Sequence, residues 1–157
     1  SGRPGVRLYI TGKTDGVRID KLAVNSGVIF TGYLPDIRPR VATSWVNVVP
    51  LRLGGGTRLK ILESLALGTP VVSTTKGAEG LNLRAGEDYL RADSPAAFAD
   101  ATLRLLGNEK MRSELAIAGR NKVHEEYDWS IVGERLSEYI ERIAATTERS
   151  ARIPLIA

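Results

Sequence analysis

The 157-residue chain has no cysteine and a single histidine. Without cysteine there is no disulfide, no zinc ribbon and no thiol chemistry, and the composition fits a cytosolic protein. The lone His124 stands in a polar helical stretch and reads as a solvated surface residue. A Ser-His-Asp triad and a His/Cys metal cluster are thereby disfavoured. No Asp-x-Asp occurs, so a metal held by paired carboxylates on a loop has no evident place. No apolar run approaches the ~18 residues of a membrane span, and the opening Ser-Gly-Arg-Pro-Gly is unlike a secretory leader. Neither a Walker loop nor Gly-x-Gly-x-x-Gly is present, and there is no internal repeat or low-complexity segment.

What is present is ordinary in bulk and uneven in detail. An apolar content of 43% suits one packed domain over residues 1–157. The net charge of +4 divides unequally: residues 1–60 hold ten Lys and Arg against three Asp, and residues 61–157 hold twelve against fifteen acids. A basic front half suits an anionic partner, and equally a solvated surface. Its cations are not interleaved with a stacking platform, which speaks against nucleic acid.

Strand and helix patterns alternate through the first 93 residues. Val6–Thr11 reads as a buried strand, Asp15–Ser26 as a short surface helix and Val28–Gly32 as a second strand. Tyr33–Asp36 is a turn, with Pro35 or Asp36 opening a helix through Arg38–Thr43. Trp45–Pro50 is a third strand, Val71–Ser73 a fourth that closes at the loop Thr74–Gly80, and Tyr89–Arg91 a short fifth. This alternation predicts an α/β fold, a Rossmann-like parallel sheet flanked by helices.

The chain is helical only over residues 94–147. Ser94-Pro95 opens a helix with Phe98, Ala101 and Leu105 on one stripe, ended by Gly107. Asn108 caps a second with Met111, Leu115 and Ala118. Asp128 or Ser130 starts a third with Val132, Leu136, Tyr139 and Ile143. All three stripes are expected to pack in the core, and residues 151–157 are expected to fray.

Between the third and fourth strands lies the stretch with chemistry in it, Gly54-Gly55-Gly56-Thr57-Arg58-Leu59-Lys60-Ile61-Leu62-Glu63. Three glycines cost about 0.5–1 kcal/mol each in backbone entropy relative to alanine, and they let a ligand approach the main chain. The helix start behind them offers free N–H donors and partial positive charge to an anion. Its place at the carboxyl end of a strand is where open α/β sheets bind ligands. A helical wheel puts Leu59, Ile61, Leu62, Leu65 and Ala66 on the apolar side and Lys60, Glu63 and Ser64 opposite. Lys60 and Glu63 fit either a polar site or an i,i+3 ion pair.

The run from Phe30 to Leu81, and above all Leu62-Glu63-Ser64-Leu65-Ala66-Leu67-Gly68-Thr69-Pro70-Val71-Val72, resembles the carboxy-terminal, donor-binding half of group 1 retaining glycosyltransferases of the GT-B fold. The resemblance extends over about residues 6–143, through Ala92-Asp93-Ser94-Pro95, the Leu105-Leu106 helix and Tyr127-Asp128-Trp129-Ser130. It implies sugar transfer from a nucleotide-sugar donor with retention of configuration, the nucleotide-sugar serving as substrate, with no cofactor and no metal. Glu63 matches the second glutamate of the family's Glu-x7-Glu pattern and would accept hydrogen bonds from the ribose hydroxyls.

By the same resemblance, Arg58 and Lys60 would act at the diphosphate with the backbone of Gly54, Gly55, Gly56 and Thr57, and Gly32-Tyr33-Leu34 would hold the base. The position of the first glutamate is Gly55, a departure shared with a glycine-rich variant of the pattern that would use backbone donors instead. The family's first strand-helix unit, which carries an Arg and a Lys for the phosphates, has no counterpart before Val6, and its amino-terminal acceptor domain is absent. The chain is therefore expected to be a fragment, inactive alone, of a cytoplasmic or membrane-peripheral enzyme with a lipid-linked acceptor. A nucleotide-sugar epimerase or phosphorylase of GT-B type, and a non-catalytic nucleotide-binding module, are the alternatives.

Overall fold

The computed structural model describes residues 5–13, 15 and 27–151, with side chains through residue 146. It divides into two compact units, Ser1–Arg40 and Val41–Ala157, a division the sequence does not mark.

In the first unit, β1 (Leu8–Thr11) and β2 (Val28–Gly32) pair in parallel, from Leu8 opposite Val28 to Ile10 opposite Phe30, with a register shift before Thr11 opposite Gly32. The helix expected over Asp15–Ser26 falls outside the described residues, Asp15 excepted. β1 is not the buried strand its composition predicts. Val6, Leu8 and Ile10 are 43%, 42% and 37% exposed, because alternate residues of a strand face opposite sides and this side has no covering layer among the described residues. On the other side Arg40 lies over the Tyr9 ring, 4.3 Å from its centroid. The turn into α1 (Arg38–Ala42) is held by Asp36, whose carboxylate accepts from the Arg38 backbone N–H and guanidinium at 2.9–3.0 Å.

The second unit is built on β3 (Asn47–Val49), β4 (Val71–Ser73) and β5 (Leu90–Arg91), parallel and in that order. α2 (Leu59–Ala66) joins β3 to β4; α3 (Pro95–Gly107), α4 (Glu109–Tyr127) and α5 (Trp129–Ala151) follow the sheet. Successive residues of β4 point to opposite faces, and both faces are covered. Val71 packs with Val49, Ile61, Leu62, Leu65 and Val123; Val72 packs with Leu90, Ala101, Leu105 and Leu115. Burying each such aliphatic side chain contributes about 1.5–3 kcal/mol. The sheet is thus a central layer with helices on both sides.

The predicted caps are made. Ser94 Oγ accepts from Ala97 N at 3.2 Å, Asn108 Oδ1 from Met111 N at 3.0 Å, and Asp128 Oδ1 from Ser130 N at 3.0 Å. Asp128, rather than Ser130, therefore begins the last helix. α4 comes close to α2 at Gly119, where an added Cβ would stand 2.6 Å from Leu65 Cδ2 and 2.7 Å from the Asp88 carbonyl.

Two expectations need correction here. The third strand is only Asn47–Val49; Trp45 precedes it, 60% exposed, with Arg112 over its ring at 4.3 Å. The α5 stripe is not core: Leu136, Tyr139, Ile140 and Ile143 are 49–57% exposed and Trp129 is 87% exposed. Periodicity identifies an apolar face without saying what lies against it.

Candidate functional site

Two loops leave the carboxyl ends of the neighbouring strands β3 and β4. The first runs from Pro50 through the three glycines to α2, and the second spans Thr74–Gly80. They are tied together at their bases. Thr74 N donates to Val49 O at 3.3 Å, the Thr74 hydroxyl donates to Leu51 O, and Gly77 N donates back to Thr74 Oγ1 at 2.9 Å. Gly77 is required by space: a Cβ there would meet Ser73 Oγ at 2.3 Å.

The glycine loop is shaped by its backbone. Gly54 and Gly56 have φ of +124° and +82°, a region side chains disfavour, whereas Gly55 between them has no such angle and open space around its Cβ position. The loop's other determinant is Arg58, which is only 6% exposed. Its guanidinium turns back under the loop and donates to Gly55 O and Gly54 O, both at 3.0 Å. A third, longer contact of 3.5 Å goes to Glu79 Oε2. Arg58 Nε is buried without an acceptor among the described residues. Both carbonyls are thus engaged by a buried cation, while Gly54–Thr57 themselves are exposed.

Arg58 is also the residue at which α2 begins. Its side chain makes no capping bond, and Ile61 N donates to its carbonyl at 2.9 Å. Ahead of Ile61, the amides at the start of α2 lie before any carbonyl the helix could offer them, so this end keeps its donor character. Lys60 and Glu63 are both exposed and, three residues apart, lie on one side of the helix. No ion pair joins them among the described residues.

The wheel misplaces three residues of this helix, Leu59, Ser64 and Ala66, the last of them exposed where the wheel expects packing. Leu59 is 59% exposed rather than packed, since the first residue of α2 precedes the point where the helix meets the core. Ser64, expected on the polar side, is 1% exposed. It donates to Lys60 O at 2.7 Å and accepts from the Asn47 amide, so its polarity is satisfied internally.

The second loop supplies what the sequence does not reveal. Glu79 Oε2 accepts from Lys76 Nζ and faces Arg58. Lys76, by hydrogen bond and charge, holds the Glu79 carboxyl below its ordinary range, with a smaller effect from Arg58. The only advance signal is position, at the end of a parallel strand, the same rule that singles out the glycines. Asp93 braces the loop from beyond β5: its carboxylate accepts from Thr75 N at 2.7 Å and Thr75 Oγ1 at 2.8 Å.

Of the remaining candidates, Gly32, Tyr33 and Leu34 lie at the end of β2 in the first unit, with φ +67° at Gly32 and Tyr33 68% exposed. His124 is 80% exposed, its Nδ1 3.3 Å from Asp128 Oδ2. Among the described residues no group of three His, Asp or Glu is placed to hold a metal ion, and no helix is long and apolar enough to cross a membrane.

The sequence profile of the family described as "Glycosyl transferases group 1" matches residues 2–108. A phosphatidyl-myo-inositol mannosyltransferase of Mycobacterium leprae is 31% identical over 147 residues, 90% of this chain and 39% of that protein. A GDP-mannose-dependent monoacylated alpha-(1-6)-phosphatidylinositol monomannoside mannosyltransferase of Corynebacterium glutamicum is 26% identical over 153 residues, 90% of this chain and 40% of that protein. Among solved structures, HepE of Anabaena in complex with UDP superimposes with a TM-score of 0.78 at 16% identity, over 89% of this chain and 42% of that one. This chain thus spans about two fifths of the length of these relatives. With most of its length matched by the family profile and its parallel, helix-flanked sheet shared with GT-B structures, the chain belongs to the group 1 glycosyltransferases.

Proposed function

We propose that this chain is the donor-binding part of an enzyme that transfers a sugar from a nucleotide-sugar to an acceptor with retention of configuration. The observation that carries the reading is the glycine loop. Its backbone is fixed by two left-handed glycines and the buried Arg58, and it runs directly into the start of α2. An anion at that point meets backbone N–H groups and the positive end of the helix. Lys60 adds a cation in the first turn, and Arg58 keeps one buried donor, Nε, without an acceptor among the described residues. One turn further, Glu63 is an exposed carboxylate suited to two vicinal ribose hydroxyls.

In this reading the leaving diphosphate develops charge as the glycosidic bond breaks, and preorganised donors lower that barrier without reorganising. Retention follows if the acceptor attacks from the face the diphosphate leaves. The donor requires no metal, its charge being met by Lys60, Arg58 and the loop amides. A lipid-linked acceptor is favoured by the phosphatidylinositol in the names of two relatives, and points to a cytoplasmic enzyme working at a membrane surface.

Calorimetric titration of the intact enzyme with UDP and GDP tests the assignment. Glu63→Ala is expected to weaken the preferred diphosphate about tenfold, the loss of a charge-assisted hydrogen bond of about 1.4 kcal/mol. Unchanged affinity would remove Glu63 from the ribose.

A further inference from the structure

The donor reading leaves one chemical gap. A sugar is read by carboxylates that accept from its hydroxyls, and the position where the family pattern carries that carboxylate is Gly55. The structure brings another carboxylate to the same loop. Glu79, 21 residues from Arg58 in sequence, reaches the guanidinium whose other donors hold the carbonyls of Gly54 and Gly55.

We propose that Glu79 is the residue that reads the hydroxyls of the transferred sugar, taking from the neighbouring loop the role that Gly55 cannot fill. This rests on the nucleotide-sugar reading above. Three features carry it. Both contacts of Glu79, to Lys76 and to Arg58, go to Oε2, and Oε1 takes none among the described residues, so one oxygen is oriented and free to accept. Its side chain is 56% exposed, and the glycines beside it are exposed too, so a ligand at the loop reaches it. Its two cations keep it ionised, which makes it an acceptor only, and a pair of hydroxyls on one sugar ring presents two donors to such a group. Arg58, itself held by the carbonyls of Gly54 and Gly55, also helps to fix its position.

The inference separates sugar recognition from nucleotide recognition, and saturation-transfer difference NMR reads both at once, even for weak ligands. UDP-glucose and GDP-mannose are the probes, with UDP and GDP as controls, against the intact wild-type enzyme and its Glu79→Gln variant. The expected result is that Glu79→Gln lowers the ratio of sugar-ring to ribose saturation by about threefold or more, while the affinities for UDP and GDP stay within about twofold. An unchanged ratio overturns the proposal. A parallel loss of sugar and ribose signals also overturns it, because Glu79 would then act only through Arg58 and the shape of the loop. Failure of all four probes to bind the intact wild-type enzyme overturns the donor reading itself, and this inference with it.

Discussion

Arg58 Nη2 donates to the carbonyl oxygen of Gly54 at 3.0 Å, so the residue that opens helix α2 also holds the positive-φ glycine four residues before it. Nη1 repeats the contact to Gly55. A loop with three glycines would otherwise lose its shape to backbone entropy; a buried cation on its carbonyls supplies the order that side chains cannot.

Replacing that cation tests its structural weight. Arg58→Lys keeps the charge but loses the planar fork that spans two carbonyls. It is expected to lower unfolding free energy in urea by about 2 kcal/mol, the range for hydrogen bonds to a charged group. A loss below about 0.5 kcal/mol would show that the clamp is dispensable.

The glycines separate by environment. Gly119→Ala places a methyl 2.6 Å from Leu65 and 2.7 Å from a carbonyl between α4 and α2, and overpacking of this kind costs about 1–3 kcal/mol. Gly55→Ala meets nothing within 4 Å and needs no left-handed angle, so it is expected to be neutral or slightly stabilising. Thermal midpoints of the two variants make the comparison.

Strands and helices of this chain were legible where chemistry is local. Val71-Val72-Ser73 between Pro70 and the Thr74 loop could only be a short buried strand, and Ser94-Pro95 could only begin a helix. What depends on distant partners was not. Ser64 is buried because Asn47 pairs with it across 17 residues, and the Arg58–Glu79 contact spans 21. The glycine loop and Glu63 could be singled out from residue order alone; Glu79 could not, since nothing in its own neighbours announces that it meets Arg58.

The α5 face makes the same distinction testable. Leu136 is 56% exposed and Leu105 fully buried, although both sit on regular apolar stripes. Leu136→Gln is expected to change stability of this chain by no more than about 0.5 kcal/mol, and Leu105→Ala to cost about 2–5 kcal/mol. Equal losses in urea denaturation would contradict the exposure of α5.

Acid should loosen the second loop through Asp93. Hydrogen bonds first from the Thr75 backbone N–H and then from its hydroxyl hold this carboxyl below its ordinary value of 3.8. A depressed folded-state value contributes stability that is present above pH 3.8 and is lost as pH falls through the lower folded value. Asp93→Asn is expected to be less stable than wild type at pH 6, with the gap narrowing toward pH 3. A gap constant with pH, measured by thermal melts, would deny the ionised bond a role.

The central claim is that an anionic nucleotide sits on Gly54–Thr57 and the start of α2. Adding UDP or GDP to the 15N-labelled chain and following its amide signals tests this most directly. The account predicts that the largest shifts fall on Gly55, Gly56, Thr57, Leu59 and Lys60, and that they shrink when Lys60 is replaced by Ala. Shifts confined to other elements, with these amides unmoved at saturating nucleotide, would contradict it.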